Sequence, residues 1–131
     1  MIDMFLVDDD VLVVSFIEYV VNFYNEKNDS KINLVAGTDG YEAIDLLNLR
    51  RDPFGLYLVD MRIPGELDSS ERLYNIVKDK FNDVSNFYFI TGHLSEHDYD
   101  LVSRTNANYI LKPIELKRLF SLFDKIDYSK H

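Results

Sequence analysis

Five residues carry most of the chemical capability of this sequence, and short apolar runs end on them. MFLV at 4–7 leads into Asp8 and Asp9, GLYLV at 55–59 into Asp60, NFYFI at 86–90 into Thr91, and NYIL at 108–111 into Lys112. Three carboxylates, a hydroxyl and an ammonium form a specific inventory if one site gathers them. Carboxylates a few ångströms apart raise at least one pKa among them unless a cation sits between them. A hard divalent cation with oxygen ligands, Mg2+ above all, suits such a cluster, because it keeps several waters and leaves a position for a phosphate oxygen. Lys112 would then meet other phosphate oxygens by charge and Thr91 by hydrogen bond. Asp60 is left as the nucleophile, since a carboxylate can attack a phosphoryl group and hold it as an acyl phosphate.

The stretches between these runs must bring the five residues together. Those apolar runs and INLVA at 32–36 are rich in Val, Ile, Phe and Tyr, and read as buried strands. Residues 11–27 repeat apolar side chains at Val13, Phe16/Ile17, Val20 and Phe23/Tyr24, which predicts a helix with a wide apolar face. Asp10 is placed to cap it. Gly40–Arg51 predicts a second helix facing inward through Ala43, Ile44 and Leu47, and more weakly Leu46 and Leu49. A third over 69–81 has Leu73, Ile76, Val77 and Phe81 inward. A fourth over 95–105 has only Tyr99, Leu101 and Val102 to bury, and is expected to be the loosest. A fifth, Ile114–Ile126, carries Leu116, Leu119, Phe120, Phe123 and Ile126 on one side. The stretches 25–31 and 64–70 read as loops. Five strand–helix alternations imply an α/β sandwich: a parallel sheet joined by right-handed crossovers, with helices on both faces. Ligands of such sheets bind outside the carboxyl ends of the strands, where the strand order reverses. Asp8, Asp9, Asp60, Thr91 and Lys112 all sit at such ends.

Composition narrows the function further. The 131 residues, 47% of them hydrophobic, suffice for one domain over 1–131, which buries roughly 65–70% of its unfolded surface. Fourteen Lys and Arg against 23 Asp and Glu give a net charge of −9. Without a basic cluster, direct nucleic-acid binding is not expected, since phosphate contacts by basic side chains supply most of that affinity. Cations and basic partners are favoured instead. The absence of cysteine excludes disulfides, thiolate zinc sites and a cysteine nucleophile, and fits a reducing compartment. No basic leader and no long apolar run is seen, so the expected location is the cytoplasm, without a membrane span. His93 and His97 are spaced i, i+4, but no third ligand accompanies them.

Taken together, the motifs resemble those of the receiver domains of two-component response regulators, over residues 4–126. The acidic pair in FLVDDD is similar to the family's metal-binding pair, Asp8 and Asp9. Asp60 in YLVDMRIPG resembles the phosphoacceptor, Thr91 in FYFITG the switch hydroxyl, and Lys112-Pro113 in YILKP the lysine and proline that follow the last strand. Tyr109 matches the rotating aromatic. The resemblance implies a flavodoxin-like, doubly wound five-stranded sheet of order 2-1-3-4-5, and Mg2+ or Mn2+ held by Asp8, Asp9, Asp60 and the backbone carbonyl of Arg62. It also implies a signalling switch that catalyses its own phosphorylation and dephosphorylation but is not a metabolic enzyme. The phosphoryl donor would be a sensor histidine kinase or a histidine phosphotransfer protein. The output would be a downstream protein, or a second copy, at the 94–126 face.

Three departures accompany the likeness. Gly92 stands where alanine is usual, Arg62 and His93 flank the water path to the acyl phosphate, and the loop after Asp60 is one residue longer than usual. A hydrolase or phosphotransferase with an aspartyl-phosphate intermediate generally needs an acid two residues after the nucleophile, and that residue here is Arg62. A phosphorylation-independent module with the same fold is the other alternative, although none of the acids or the lysine is lost. Nothing resembling an output domain follows the fifth helix before His131, so the expectation is a stand-alone receiver or one cut from a larger regulator or hybrid kinase.

Overall fold

Strand and helix alternate five times in the computed structural model, which describes residues 2–65 and 68–127. The strands are β1 (Ile2–Val7), β2 (Ile32–Gly37), β3 (Leu56–Asp60), β4 (Phe87–Thr91) and β5 (Asn108–Leu111). The helices are α1 (Val11–Asn28), α2 (Gly40–Leu49), α3 (Ser69–Phe81), α4 (Glu96–Thr105) and α5 (Leu116–Ile126). Every pairing is parallel and the order is β2-β1-β3-β4-β5. This is the doubly wound arrangement expected from the sequence. The order reverses between β1 and β3, so the crevice outside their carboxyl ends is where a ligand has room.

All five residues of β3 and of β4 are buried, which is why these strands read as continuous apolar runs without alternation. Successive side chains still go to opposite faces. Met4, Leu6, Leu56, Leu58, Tyr88, Ile90 and Ile110 pack against α1 and α5. Phe5, Val7, Tyr57, Val59, Phe87 and Phe89 pack against α2, α3 and Leu101 of α4. Asp60 continues the alternation of Leu56 and Leu58, whereas Thr91 continues that of Phe87 and Phe89, towards α4.

Several boundaries and faces differ from expectation. The first half of α1 is apolar nearly all round, so periodicity does not select a side. The buried set is Ile17, Val20, Val21 and Tyr24, while Phe16 and Phe23 are partly exposed and Leu12 and Tyr19 more so. The helix continues through Asn28 into the segment read as a loop. Asn25 there bonds both backbone groups of Ile32 (2.8 and 2.9 Å), tying α1 to the start of β2. Helix α2 stops at Leu49, which is exposed, and not at Arg51. Tyr99 and Leu116 lie outward, whereas Tyr74 and Leu122 take buried places. Helix α5 begins two residues later than expected, with Glu115 as its N-cap. Helix α3 has the expected bounds, so Ser69 and Ser70, where the loop over 64–70 overlapped that helix, belong to its first turn; Glu66 and Leu67 of the loop lie outside the described residues.

Two glycines fix the loop after β3. Gly65 has φ +116°, a conformation side chains rarely adopt, and a Cβ on Gly40 would stand 2.2 Å from Ser69 Oγ. The Gly40 amide donates to the Pro64 carbonyl at 2.8 Å. The start of α2 is thereby pinned to the segment that leaves Asp60.

Candidate functional site

Strand ends assemble the site. Asp8 and Asp9 follow β1 directly, Asp60 closes β3, Thr91 closes β4, and Lys112 follows β5. Asp8 is fully buried and Asp60 is 6% exposed, while Asp9 is exposed. Ligand atoms of these three carboxylates all lie within 4.8 Å of one another, the one such acidic cluster among the described residues. Lys112 Nζ reaches two of them, at 2.8 Å from Asp8 Oδ2 and 3.1 Å from Asp60 Oδ2. The Lys112–Pro113 peptide is cis. Backbone groups hold the remaining carboxylate oxygens: the Asp10 amide donates to Asp8 Oδ1 and the Arg62 amide to Asp60 Oδ1, both at 2.9 Å. Asp10 itself caps α1 by accepting from the Leu12 amide, so the three consecutive acids have divided roles.

One atom tests whether a cation fits. Asp8 Oδ2 is buried, and although Lys112 Nζ is close, no hydrogen bond of proper alignment reaches it. A buried carboxylate oxygen without a directed donor is costly, and an oxygen-seeking cation relieves that cost. One ammonium against three carboxylates also leaves negative charge in excess. The donor set of carboxylate oxygens beside an exposed Asp9 fits Mg2+ or Mn2+, which take oxygen ligands and keep part of their water.

Electrostatics follow from the packing. Burial raises the Asp60 pKa above its ordinary value, the Asp8 charge adds to this, and the Arg62 amide and Lys112 oppose it. Burial alone would lower the Lys112 pKa, but Asp8 and Asp60 outweigh it and keep the ammonium above the usual lysine value. A carboxyl whose folded pKa is raised contributes stability only below its unfolded value, and that contribution is lost as pH rises through the folded value. Ionised Asp60 therefore strains the metal-free fold at neutral pH. Asp60→Asn is expected to stabilise the metal-free protein at pH 7 by about 1 kcal/mol, or ~3–5 °C in Tm. Thermal melts in EDTA check this. The gap should close towards pH 4, and a wild type equally stable at pH 7 would contradict it.

Thr91 points to the other side of the sheet edge. Its hydroxyl lies 3.0 Å from the His93 carbonyl and 3.3 Å from Asp98 Oδ2, and the Arg62 guanidinium is 3.2 Å from that same carboxylate oxygen. Asp98 is 2% exposed, and the sequence reading missed it. Its place three residues after Ser95 reads as an ordinary helix start, and Ser95 Oγ does cap α4 by accepting from the Asp98 amide. Tyr109 lies opposite Phe89 in the β4–β5 register, on the Thr91 side of the sheet, and is 43% exposed. A Cβ built on Gly92 meets nothing within 4 Å, so the space beside the strand end is open.

No protein-family model matches the sequence, and no curated protein does. Solved structures match over nearly the whole chain. A CheY-like response regulator receiver domain protein from Methanospirillum hungatei is 19% identical, with 96% of this chain and 94% of that chain covered and a TM-score of 0.75. A two-component response regulator from Legionella pneumophila is 18% identical, with 96% and 98% covered and a TM-score of 0.72. The non-phosphorylated HemR receiver domain from Leptospira biflexa is 20% identical, with 96% and 94% covered and a TM-score of 0.68. At these identities the likeness is one of fold: the chain has the fold of CheY-like response regulator receiver domains.

Proposed function

We propose that this chain, as one domain over 1–131, is the phosphoacceptor receiver of a two-component or phosphorelay system, with Asp60 as the residue that takes the phosphoryl group. The observation that carries this reading is the Asp60 carboxylate at the end of the central strand β3, ion-paired to Lys112 at 3.1 Å and clustered with Asp8 and Asp9. A carboxylate oxygen of Asp60 attacks the phosphorus of a phosphohistidine on a sensor kinase or phosphotransfer protein. The P–N bond breaks, and its electron pair stays on the imidazole nitrogen. Lys112 trades part of its hold on Asp60 for the transferring oxygens, so the charge it neutralises moves with the phosphoryl group. Asp8, Asp9, Asp60 and the Arg62 backbone carbonyl would hold Mg2+ or Mn2+, which neutralises charge gathering on the phosphoryl oxygens. The residue two positions after Asp60 is Arg62, which offers no general acid or base for a metabolic hydrolase. Self-catalysed transfer and loss of phosphate is therefore the reading, and the cytoplasm is the proposed compartment.

The signal leaves through Thr91 and Tyr109. A phosphoryl group adds nearly two negative charges and strong acceptor oxygens beside the strand ends, and Thr91 turns to donate to one of them. Tyr109, on the same side of the sheet, then fills the vacated space and alters the 94–126 face offered to a downstream protein or a second copy. No helix among the described residues is long and apolar enough to cross a membrane, and the net charge of −9 supports no direct nucleic-acid contact. Amide NMR with and without Mg2+ and beryllofluoride, a mimic of the acyl phosphate, tests the reading. Signals of Thr91, Tyr109 and α4 are expected to move together with those near Asp60. Movement confined to the surroundings of Asp60 would remove the switch, and no movement would remove the phosphoacceptor.

A further inference from the structure

A buried carboxylate needs donors, because stripping its water costs far more than one neutral hydrogen bond returns. Among the described residues two donor groups approach Asp98, both at the same oxygen: the Arg62 guanidinium at 3.2 Å and, at 3.3 Å, the Thr91 hydroxyl, whose proton the His93 carbonyl at 3.0 Å also shares. An acid three residues after a serine N-cap usually reaches back to the N-cap amide. Here the Ser95 amide goes to the His93 carbonyl at 3.1 Å, and the Asp98 side chain faces inward, 2% exposed, towards the end of β4. The first turn of α4 is thus tied through one carboxylate to β4 and to the segment leaving β3.

A threonine hydroxyl has one proton to donate. In this structure both acceptors within its reach, the His93 carbonyl and Asp98 Oδ2, belong to the segment that leads into and begins α4. A phosphoryl oxygen on Asp60 would be a third and more highly charged acceptor, and one proton cannot serve both sides. We propose that Asp98 is a positioning residue that holds the Thr91 hydroxyl on the α4 side of β4 in the unphosphorylated protein, so that phosphorylation of Asp60 and attachment of the α4 first turn compete for a single proton. The proposal rests on the phosphoacceptor reading. It deepens that reading by naming the group from which the phosphoryl oxygen must take Thr91. When the exchange occurs, Asp98 keeps only Arg62, whose side chain is 59% exposed, and the first turn of α4 loses its bond to the sheet.

The test is a double-mutant cycle on beryllofluoride affinity in saturating Mg2+, with amide NMR of the unliganded proteins. Asp98→Ala weakens the resting arrangement and is expected to tighten beryllofluoride binding ~3–10-fold, the order that the net worth of one ordinary hydrogen bond gives, since the Thr91 proton is shared with the His93 carbonyl. Its unliganded Thr91 and Glu96–Asp98 signals should move part of the way to the wild-type liganded positions. In a Thr91→Ala background the same change should alter affinity less than ~1.5-fold, because the proton in dispute is gone. Asp98→Asn keeps an acceptor oxygen in place and should return the signals towards wild type; should Asp98→Ala not fold, Asp98→Asn takes its place in the cycle with a smaller tightening. Equal or weaker binding by folded Asp98→Ala (or, if that variant does not fold, by Asp98→Asn), or the same effect with and without Thr91, overturns the proposal and leaves the phosphoacceptor standing. A wild type that fails to bind beryllofluoride overturns both.

Discussion

Incubated with acetyl phosphate and Mg2+, the protein is expected to gain one phosphoryl group, and Asp60→Asn none. An amide is no nucleophile towards phosphorus, and the variant keeps the shape of the site, so loss of the adduct isolates the chemistry from the fold. The linkage should be labile to base and hydroxylamine, as an acyl phosphate is, in contrast to a phosphoserine or phosphotyrosine. Lys112→Ala should slow the reaction by about 100-fold or more, the scale on which removing one preorganised charge from a developing anion acts. It removes the ammonium 2.8 Å from Asp8 and 3.1 Å from Asp60, and so leaves two carboxylates to repel the incoming phosphate. Intact-mass spectrometry over time reads all three proteins. An adduct undiminished in Asp60→Asn would place the acceptor elsewhere.

Asp9→Ala is expected to abolish metal-dependent phosphorylation while the fold survives. Asp9 is exposed and packs in neither core, so its removal leaves the sheet intact but takes an oxygen from the acidic cluster. A small hydrated ion held by few protein oxygens depends on each of them, and the rate should fall by at least ~100-fold. Asp8→Ala would be a poorer test, because that carboxylate is fully buried beside Lys112 and its loss disturbs the charge balance of the strand ends. Wild-type Tm should rise with Mg2+, by about 1.4 kcal/mol of stability at ten times the dissociation constant; Asp9→Ala should show little of this. Full phosphorylation in EDTA would remove the metal from the account.

Asp8, Asp60, Thr91 and Lys112 were legible in the sequence because each breaks off an apolar run, and a parallel sheet gives such break points one common edge. Strand order needed the resemblance, since periodicity says which segments are strands but not which lie side by side. The inward side of α1 was only partly legible: with apolar residues on every side, the choice of Val21 over Phe23 is made by the shape of the sheet and α5. Tyr99 illustrates the converse. An aromatic in a mostly polar helix looks like its anchor, yet Leu101 fills that place and Tyr99 faces water. Asp98 was hidden for a local reason. A serine followed three residues later by an acid explains itself as a helix start, and nothing in that spacing reports that the carboxylate turns towards Thr91 and Arg62.

The site draws on the first strand and the last, and this has a consequence for biosynthesis. Asp8 is made well before its ion-pair partner Lys112, which follows β5, so their contact closes a loop of ~100 residues, among the most entropically costly contacts to form. Parallel strands pair only across completed crossovers, which delays the assembly of such sheets. Between the synthesis of Asp60 and that of Lys112, a nascent chain therefore carries the proposed phosphoacceptor without the ammonium that would make it reactive. Uptake of phosphate would certify that the entire sheet has closed, and unfinished or misfolded copies would stay silent in any circuit that reads the phosphorylated form.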